Sequence, residues 1–303
     1  MHKRIDKQHR PAAQSATPPA SRPTHWGEVA EWYDTLVGDE GSEYHREVIL
    51  PGVFRMLGEA ESRTPSRREK REKKEARRSL DILDLACGQG VLCRRLAQLG
   101  YRVVGVDAAE PLIAAAQKRN ENDGLPIRYD VADVTRLRHE AGDFAAGLAA
   151  ESFDAITLVL AIQNITPLSP VWQACRGLLK PGGRLILVMM HPCFRVPRQS
   201  DWHWDEKTGT QERVVRQYLT STTIPIQTHP GLAAQGKDEA STTHFHRPLQ
   251  AYINTLGNAG LMIDHIEEWA SHKKSQPGPR QAALDRARTE VPMFLALRAK
   301  RVT

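Results

Sequence analysis

Leu80-Asp-Ile-Leu-Asp-Leu-Ala86-Cys-Gly88-Gln-Gly90, followed by Val91-Leu-Cys-Arg-Arg-Leu-Ala-Gln-Leu99, decides the fold of this chain. An apolar run from Leu80 to Ala86 reads as a strand, two closely spaced glycines as a sharp turn, and Val91 to Leu99 as a helix with an apolar face. Glycines at such a turn let the backbone bend tightly and come close to a ligand, and the helix start offers free N–H donors. Arg102-Val-Val-Gly-Val-Asp107 is the next strand, and it ends on a carboxylate nineteen residues after Gly88. An acid at that place can accept hydrogen bonds from both ribose hydroxyls of an adenosine, a spacing that also fits NAD. The third glycine of a dinucleotide fingerprint is replaced by Cys93.

Outward from this unit the alternation continues. Pro111 opens a helix running to Arg119, Pro126 to Val131 is a third strand, Phe153 to Ala161 a fourth, Val171 to Leu179 a helix and Arg184 to Met190 a fifth strand. His191 to His246 reads as irregular, Arg247 to Ala259 as helix, Leu261 to Glu267 and Pro292 to Lys300 as strands, the last open to an antiparallel run. Upstream, Trp26 to Leu57 reads as helices, with Val29, Trp32, Tyr33 and Leu36 on one face and a break at Gly38-Asp-Glu-Gly41. Alternating strands and helices predict an α/β chain, doubly wound, with a mostly parallel sheet and helices on both faces.

The 303 residues carry a net charge of +6, and its distribution argues against a nucleic-acid surface. Residues 1–25 and 59–79 each contribute +4, leaving the remainder negative. The first segment lacks periodicity, so residues 1–24 are expected to be a disordered basic tail. The second is a mixed charge run, expected to be a solvated insertion. No apolar run reaches the roughly 18 residues a membrane span needs, and no apolar segment follows the basic N-terminus as in a secretory signal. With Cys87, Cys93, Cys175 and Cys193 in no paired pattern, a cytoplasmic chain with reduced thiols is expected. His203, His229, His244 and His246 lack a reinforcing carboxylate or cysteine spacing, so no metal is expected, although His244 and His246 share one side of a strand.

Taken in order, Ile82-Leu-Asp-Leu-Ala-Cys-Gly-Gln-Gly90, Val104-Gly-Val-Asp107, Ala132-Asp133, Phe153-Asp-Ala-Ile-Thr157 and Leu178-Leu-Lys-Pro-Gly-Gly-Arg-Leu185 resemble the class I S-adenosylmethionine-dependent methyltransferases. Trp32-Tyr33-Asp34 resembles a segment that quinone-precursor C-methyltransferases of the small-molecule branch fold over the cofactor. The resemblance implies a seven-stranded Rossmann-like sheet over 25–303: N-terminal cap helices 26–57, a cofactor core 80–190, a lid insertion 191–246 and a C-terminal α/β part 247–303. It implies S-adenosylmethionine as cofactor, with Gly88 and Gly90 lining its methionine moiety through the backbone, Asp84 anchoring the ammonium directly or through water, and Asp107 holding the ribose. By the same resemblance, Asp133 and Val134 contact the adenine, Leu160 and Gln163 sit beside the sulfonium, and Tyr33 caps the carboxylate.

Methyl transfer needs a base only where the nucleophile must lose a proton. His191, directly after the fifth strand at the sheet edge where ligands of open α/β folds bind, is the first candidate. Tyr44 and His45, beyond the glycine break, are further candidates, and Trp202-His-Trp204 is a possible lid over the substrate. Ala161-Ile-Gln-Asn164 replaces the Asn/Asp-Pro-Pro-aromatic tetrad of amino-methylating enzymes. The expected activity is methyl transfer to a small organic molecule at O, N or C. Two other readings stand beside it: a nucleic-acid or protein methyltransferase using the basic tail as an electrostatic arm, and a non-catalytic or NAD-binding Rossmann module.

Overall fold

The computed structural model describes residues 25–58, 75, 80–227 and 241–302. The basic tail, nearly all of the 59–79 insertion, and residues 228–240 with His229 lie outside the described residues.

Seven strands form one sheet, in the order β10-β11-β5-β4-β1-β2-β3. These are β1 (Asp81–Leu85), β2 (Arg102–Asp107), β3 (Ile127–Val131), β4 (Phe153–Val159), β5 (Leu179–Met190), β10 (Leu261–Trp269) and β11 (Phe294–Arg301). The first five run parallel, and β11 is inserted antiparallel between β5 and β10. The antiparallel strand follows from its connection: Gln281–Glu290 forms a helix that delivers the chain directly into β11 without a crossover. Strand order reverses between β1 and β4, which places the ligand crevice of an open α/β sheet at their C-terminal ends.

Period-two alternation within strands separates two cores. Leu185, Leu187 and Met189 of β5, with Leu295 and Leu297 of β11, face α5 (Leu168–Leu178) and α6 (Leu249–Asn258), where Trp172 and Tyr252 are buried. Ile186 and Val188, with Phe294 and Ala296, face the other side. There they meet α2 (Leu50–Met56), α3 (Val91–Leu99) and α4 (Glu110–Asp123) through Val53, Leu96 and Ile113. Pro51 sits near the start of α2, directly after the π-helical stretch His45–Ile49 with which α2 is continuous.

Helix α1 (Ala30–Val37) is tied across to α4 by Arg119, whose guanidinium bonds Asp34 at 2.9 Å and Asp39 at 2.6 Å. The segment 191–246, read from sequence as irregular, instead carries two antiparallel hairpins. They are β6 (Ser200–Asp205) with β7 (Thr210–Val215), and β8 (Thr222–Gln227) with β9 (Ser241–His246). Pro225 inside β8 and the polar residues of both pairs hid the alternation, and small two-stranded sheets need no continuous apolar face of their own when they pack on a domain. Among the described residues no helix is long and apolar enough to cross a membrane, and no cluster of His, Cys, Asp and Glu could hold a metal ion.

Candidate functional site

A cavity of about 530 Å³ opens at the C-terminal edge of β1, β2 and β4, between the N-terminal cap and the β8–β9 hairpin. Its floor is the glycine turn. Ala86, Gly88 and Gly90 have φ of 52°, 56° and 80°, so the chain passes through the left-handed region three times in five residues. Ala86 bears that conformation with a side chain, as Leu160 does at the end of β4 with φ 55°. Such strain at two ligand-facing positions is a mark of a functional edge.

Asp107, at the end of β2, lines the cavity and is 8% exposed. Its Oδ2 accepts the Gly88 N–H at 2.9 Å and its Oδ1 the Ala109 N–H at 2.8 Å. Burial pushes its carboxyl up, while the amides of Ala109, Gly88 and Ala108 work the other way. The carboxylate is therefore fixed in plane with lone pairs left for a ligand. Tyr33 of α1 lies over the turn: a methyl group on Gly88 would stand 3.3 Å from its ring. Burial first, then the carboxylates of Asp107 and Asp84, raise the Tyr33 phenol and keep it protonated. Val134 and Asp133 line the far end, where Asp133 Oδ1 takes the N–H and hydroxyl of Thr135 at 2.9 and 2.8 Å.

Two of the expected cofactor contacts sit behind the turn instead of on the cavity wall. Asp84 is buried with Oδ1 bonded by the Thr157 hydroxyl at 2.6 Å and Oδ2 by the Cys93 thiol at 3.3 Å. Burial raises its carboxyl to about 6. Gly90 faces Tyr129, whose hydroxyl lies 2.3 Å from where a methyl group would be, so its missing side chain makes room for packing.

Of the three candidate bases, His45 alone lines the cavity. Its Nδ1 is 2.8 Å from Ser42 Oγ, and burial lowers its pKa, with Arg46 adding to the effect. His191 does not line the cavity. Its Nδ1 accepts the Cys193 N–H at 3.2 Å and its Nε2 donates to Glu268 at 2.7 Å, so both nitrogens are engaged. Position after a strand reveals neither which way a ring turns nor what stands behind it. Tyr44 is likewise turned away, bonding Ser271 at 3.1 Å and packing edge-on to Phe294 and His272. Trp202 and Trp204 do not roof the cavity either. Arg195 and Arg213 stack on the first at 5.8 and 5.2 Å, and Arg280 on the second at 4.4 Å.

The lid comes from the other hairpin. Ile226 of β8 and Thr242 and His244 of β9 line the cavity, with Trp26, Trp32, Ser42, Met190 and Asn164. Asn164 Nδ2 donates to the Thr243 carbonyl at 2.7 Å and pins β9 to the turn after β4. The alternation in Ser241-Thr-Thr-His-Phe-His246 already put Thr242, His244 and His246 on one side, but which side faces the cavity depends on tertiary packing. Gln163, 8% exposed, donates through Nε2 to the Leu160 carbonyl, and its Oε1 has no partner among the described residues.

Residues 83–187 match a family described as "Methyltransferase domain". A "Ubiquinone biosynthesis O-methyltransferase" of Xanthomonas axonopodis is 34% identical over 106 residues, covering 35% of this chain and 41% of that protein. One of the same name from Haemophilus ducreyi is 39% identical over 109 residues, covering 35% and 43%. The chain thus spans about two fifths of the length of these curated relatives, all of it in the core. A solved S-adenosylmethionine dependent methyltransferase from Mesorhizobium loti superposes with TM-score 0.55 at 27% identity, over 73% of this chain and 91% of that one.

Proposed function

We propose, for a chain whose core is a class I S-adenosylmethionine-dependent methyltransferase domain, that the cavity binds S-adenosylmethionine and that a methyl group passes from it to a small organic molecule. The observation that carries this reading is Asp107: a buried carboxylate at the end of β2, clamped by two amides and open to the cavity. The residues around it fit the cofactor. Gly88 leaves a cradle under Tyr33, Asp133 and Val134 border the far end, and the orphaned Gln163 Oε1 offers an acceptor beside Leu160. When bound, the cofactor supplies a methyl carbon on a positively charged sulfur, open to in-line displacement.

The protein's part is alignment, exclusion of water and, where the nucleophile is protonated, removal of a proton. Asp107 takes the ribose hydroxyls, and Tyr33 covers the turn from the solvent side. Trp26, Trp32 and the β8–β9 hairpin border the cavity, and its bounded volume of about 530 Å³ favours a small acceptor. His45, held neutral by burial, is the proton acceptor: in the tautomer whose Nδ1–H is donated to Ser42 Oγ, Nε2 keeps its lone pair on a ring that lines the cavity. The named activity of the curated relatives favours oxygen as the accepting atom.

Titration calorimetry with S-adenosylmethionine, S-adenosylhomocysteine and NAD, on the native chain, Asp107→Ala and Asp107→Asn, tests this. The first two ligands should bind and NAD should not. Losing two charge-assisted hydrogen bonds should weaken binding by roughly 100-fold, at about 1.5 kcal/mol or more per bond. Binding of NAD alone overturns the reading.

A further inference from the structure

The cavity has two chemically different halves. Its charged lining side chains, Asp107, Asp133 and Arg136, all sit at the β2 and β3 ends, and Arg136 leans on Asp133 at 3.8 Å. The half between the cap and the β8–β9 hairpin is polar without charge, contributed by Ser42, His45, Gln163, Thr242 and His244. Two of these groups await a partner. The Gln163 amide is oriented by its bond to the Leu160 carbonyl, which leaves Oε1 as a buried acceptor without a donor among the described residues. His244 makes no hydrogen bond to any described residue, although it is largely enclosed and lines the cavity. Burial, with His246 and Arg247 beside it, lowers His244 to about 4, so it is a neutral donor and acceptor at physiological pH.

No charged side chain lines this half, Arg46 and Arg247 standing behind His45 and His244, so a charged acceptor entering it would lose its hydration without a direct ion pair. The walls that remain, Trp26, Trp32 and Ile226, are flat or apolar and suit a ring.

We propose that His244 is a specificity-determining residue that hydrogen-bonds the methyl acceptor, and that the acceptor is an uncharged aromatic molecule with at least two hydrogen-bonding substituents, one for His45 and one for His244. The proposal rests on the methyltransferase reading and deepens it. It concerns a hairpin outside the matched segment 83–187. The hairpin is held in place by Asn164, which reaches from the turn beside the reacting centre to the Thr243 carbonyl next to His244. A hydrogen bond to His244 therefore orients the acceptor relative to the cofactor half.

The test uses the full chain saturated with S-adenosylhomocysteine and three probes: 1,2-dihydroxybenzene, phenol and benzoate. By calorimetry, the dihydroxy probe should bind about tenfold tighter than phenol and benzoate. His244→Ala should bring the three to within about twofold while S-adenosylhomocysteine affinity stays unchanged, and His244→Gln should restore part of the preference. His244→Lys should shift the preference to benzoate, a gain that mere loss of packing cannot produce. The proposal fails if the preference survives in His244→Ala, if benzoate binds best to the native chain, or if none of the probes binds the complex. Failure of S-adenosylhomocysteine itself to bind would instead overturn the underlying methyltransferase reading.

Discussion

Gly90→Ala and Gly88→Ala look alike in sequence, and the structure predicts that they behave differently. Both glycines have positive φ, 80° and 56°, so each alanine bears a left-handed cost of roughly 1–2 kcal/mol. Each also gains roughly 0.4–1 kcal/mol from a less flexible unfolded chain. At Gly88 the new methyl meets the Tyr33 ring edge at 3.3 Å, a contact the cap helix relieves with a small shift. At Gly90 it lands 2.3 Å from the Tyr129 hydroxyl and 2.8 Å from its ring, which is buried between β3 and α3. Overpacking of that kind costs roughly 1–3 kcal/mol more. The expected losses are therefore about 1 kcal/mol for Gly88→Ala and about 2–4 kcal/mol for Gly90→Ala.

Tyr129→Phe supplies the internal control. The hydroxyl it removes is buried without a partner among the described residues, so the single variant should be neutral or stabilised by about 1 kcal/mol. In the double variant, the atom nearest the new methyl is gone and the ring carbons remain at 2.8 Å, so part of the Gly90→Ala loss should return as a coupling of about 1 kcal/mol. Urea unfolding followed by far-UV circular dichroism reads all four. Equal losses at the two glycines, or strict additivity of Gly90→Ala with Tyr129→Phe, would refute the packing account of the turn.

Asp84 gives a pH signature. Its folded pKa of about 6 lies above the usual carboxylate value near 3.8, so the folded chain holds the proton more tightly. Stability from this group is full below about pH 4 and is lost as pH rises through about 6, an effect of roughly 3 kcal/mol. The difference in unfolding free energy between the native chain and Asp84→Asn should therefore fall between pH 4 and pH 6.5, and a flat difference would contradict the burial argument. Asn164→Ala removes the bond that pins β9, at a local cost of about 1–2 kcal/mol, and should speed limited proteolysis within the 191–246 segment severalfold while leaving the sheet intact. Unchanged cleavage rates would show that other contacts hold the hairpin.

The sheet and the residues proposed to hold the cofactor are legible because they are written in consecutive segments. A strand, its turn and the next helix occupy Asp81–Leu99, and the acid that answers the turn ends the very next strand. Local pattern therefore gives both the elements and their adjacency, since neighbouring strands of a βαβ unit lie side by side. Orientation within those segments was harder to read. Asp84 and Gly90 belong to the same motif as Gly88, yet Asp84 bonds Thr157 of β4 and Cys93 of α3 and Gly90 packs on Tyr129 of β3, and the contacts to β4 and β3 are encoded by no local pattern.

The acceptor half fails to show in sequence for a deeper reason. It is assembled from Ser42 and His45 before the sheet, Gln163 and Asn164 inside it, and Thr242 and His244 after it. Each reaches the cavity through a tertiary link: Arg119 bonding Asp34 and Asp39 for the cap, and Asn164 bonding Thr243 for the hairpin. His191 illustrates the converse. It stands at the expected sheet edge, but Glu268 of β10 and the Cys193 amide take both of its nitrogens. A histidine with both nitrogens committed stabilises the edge, whereas one that lines a cavity with a nitrogen open is available to a ligand, which is why His45 and His244 are the residues proposed to meet the acceptor. The division has a chemical consequence. The sheet-borne half is charged and fixed by buried amide bonds, and can bind one cofactor rigidly. The half borne by cap and hairpin is neutral and held by a few exchangeable contacts, so changes in the hairpin can redirect acceptor choice without disturbing Asp107 or the glycine turn.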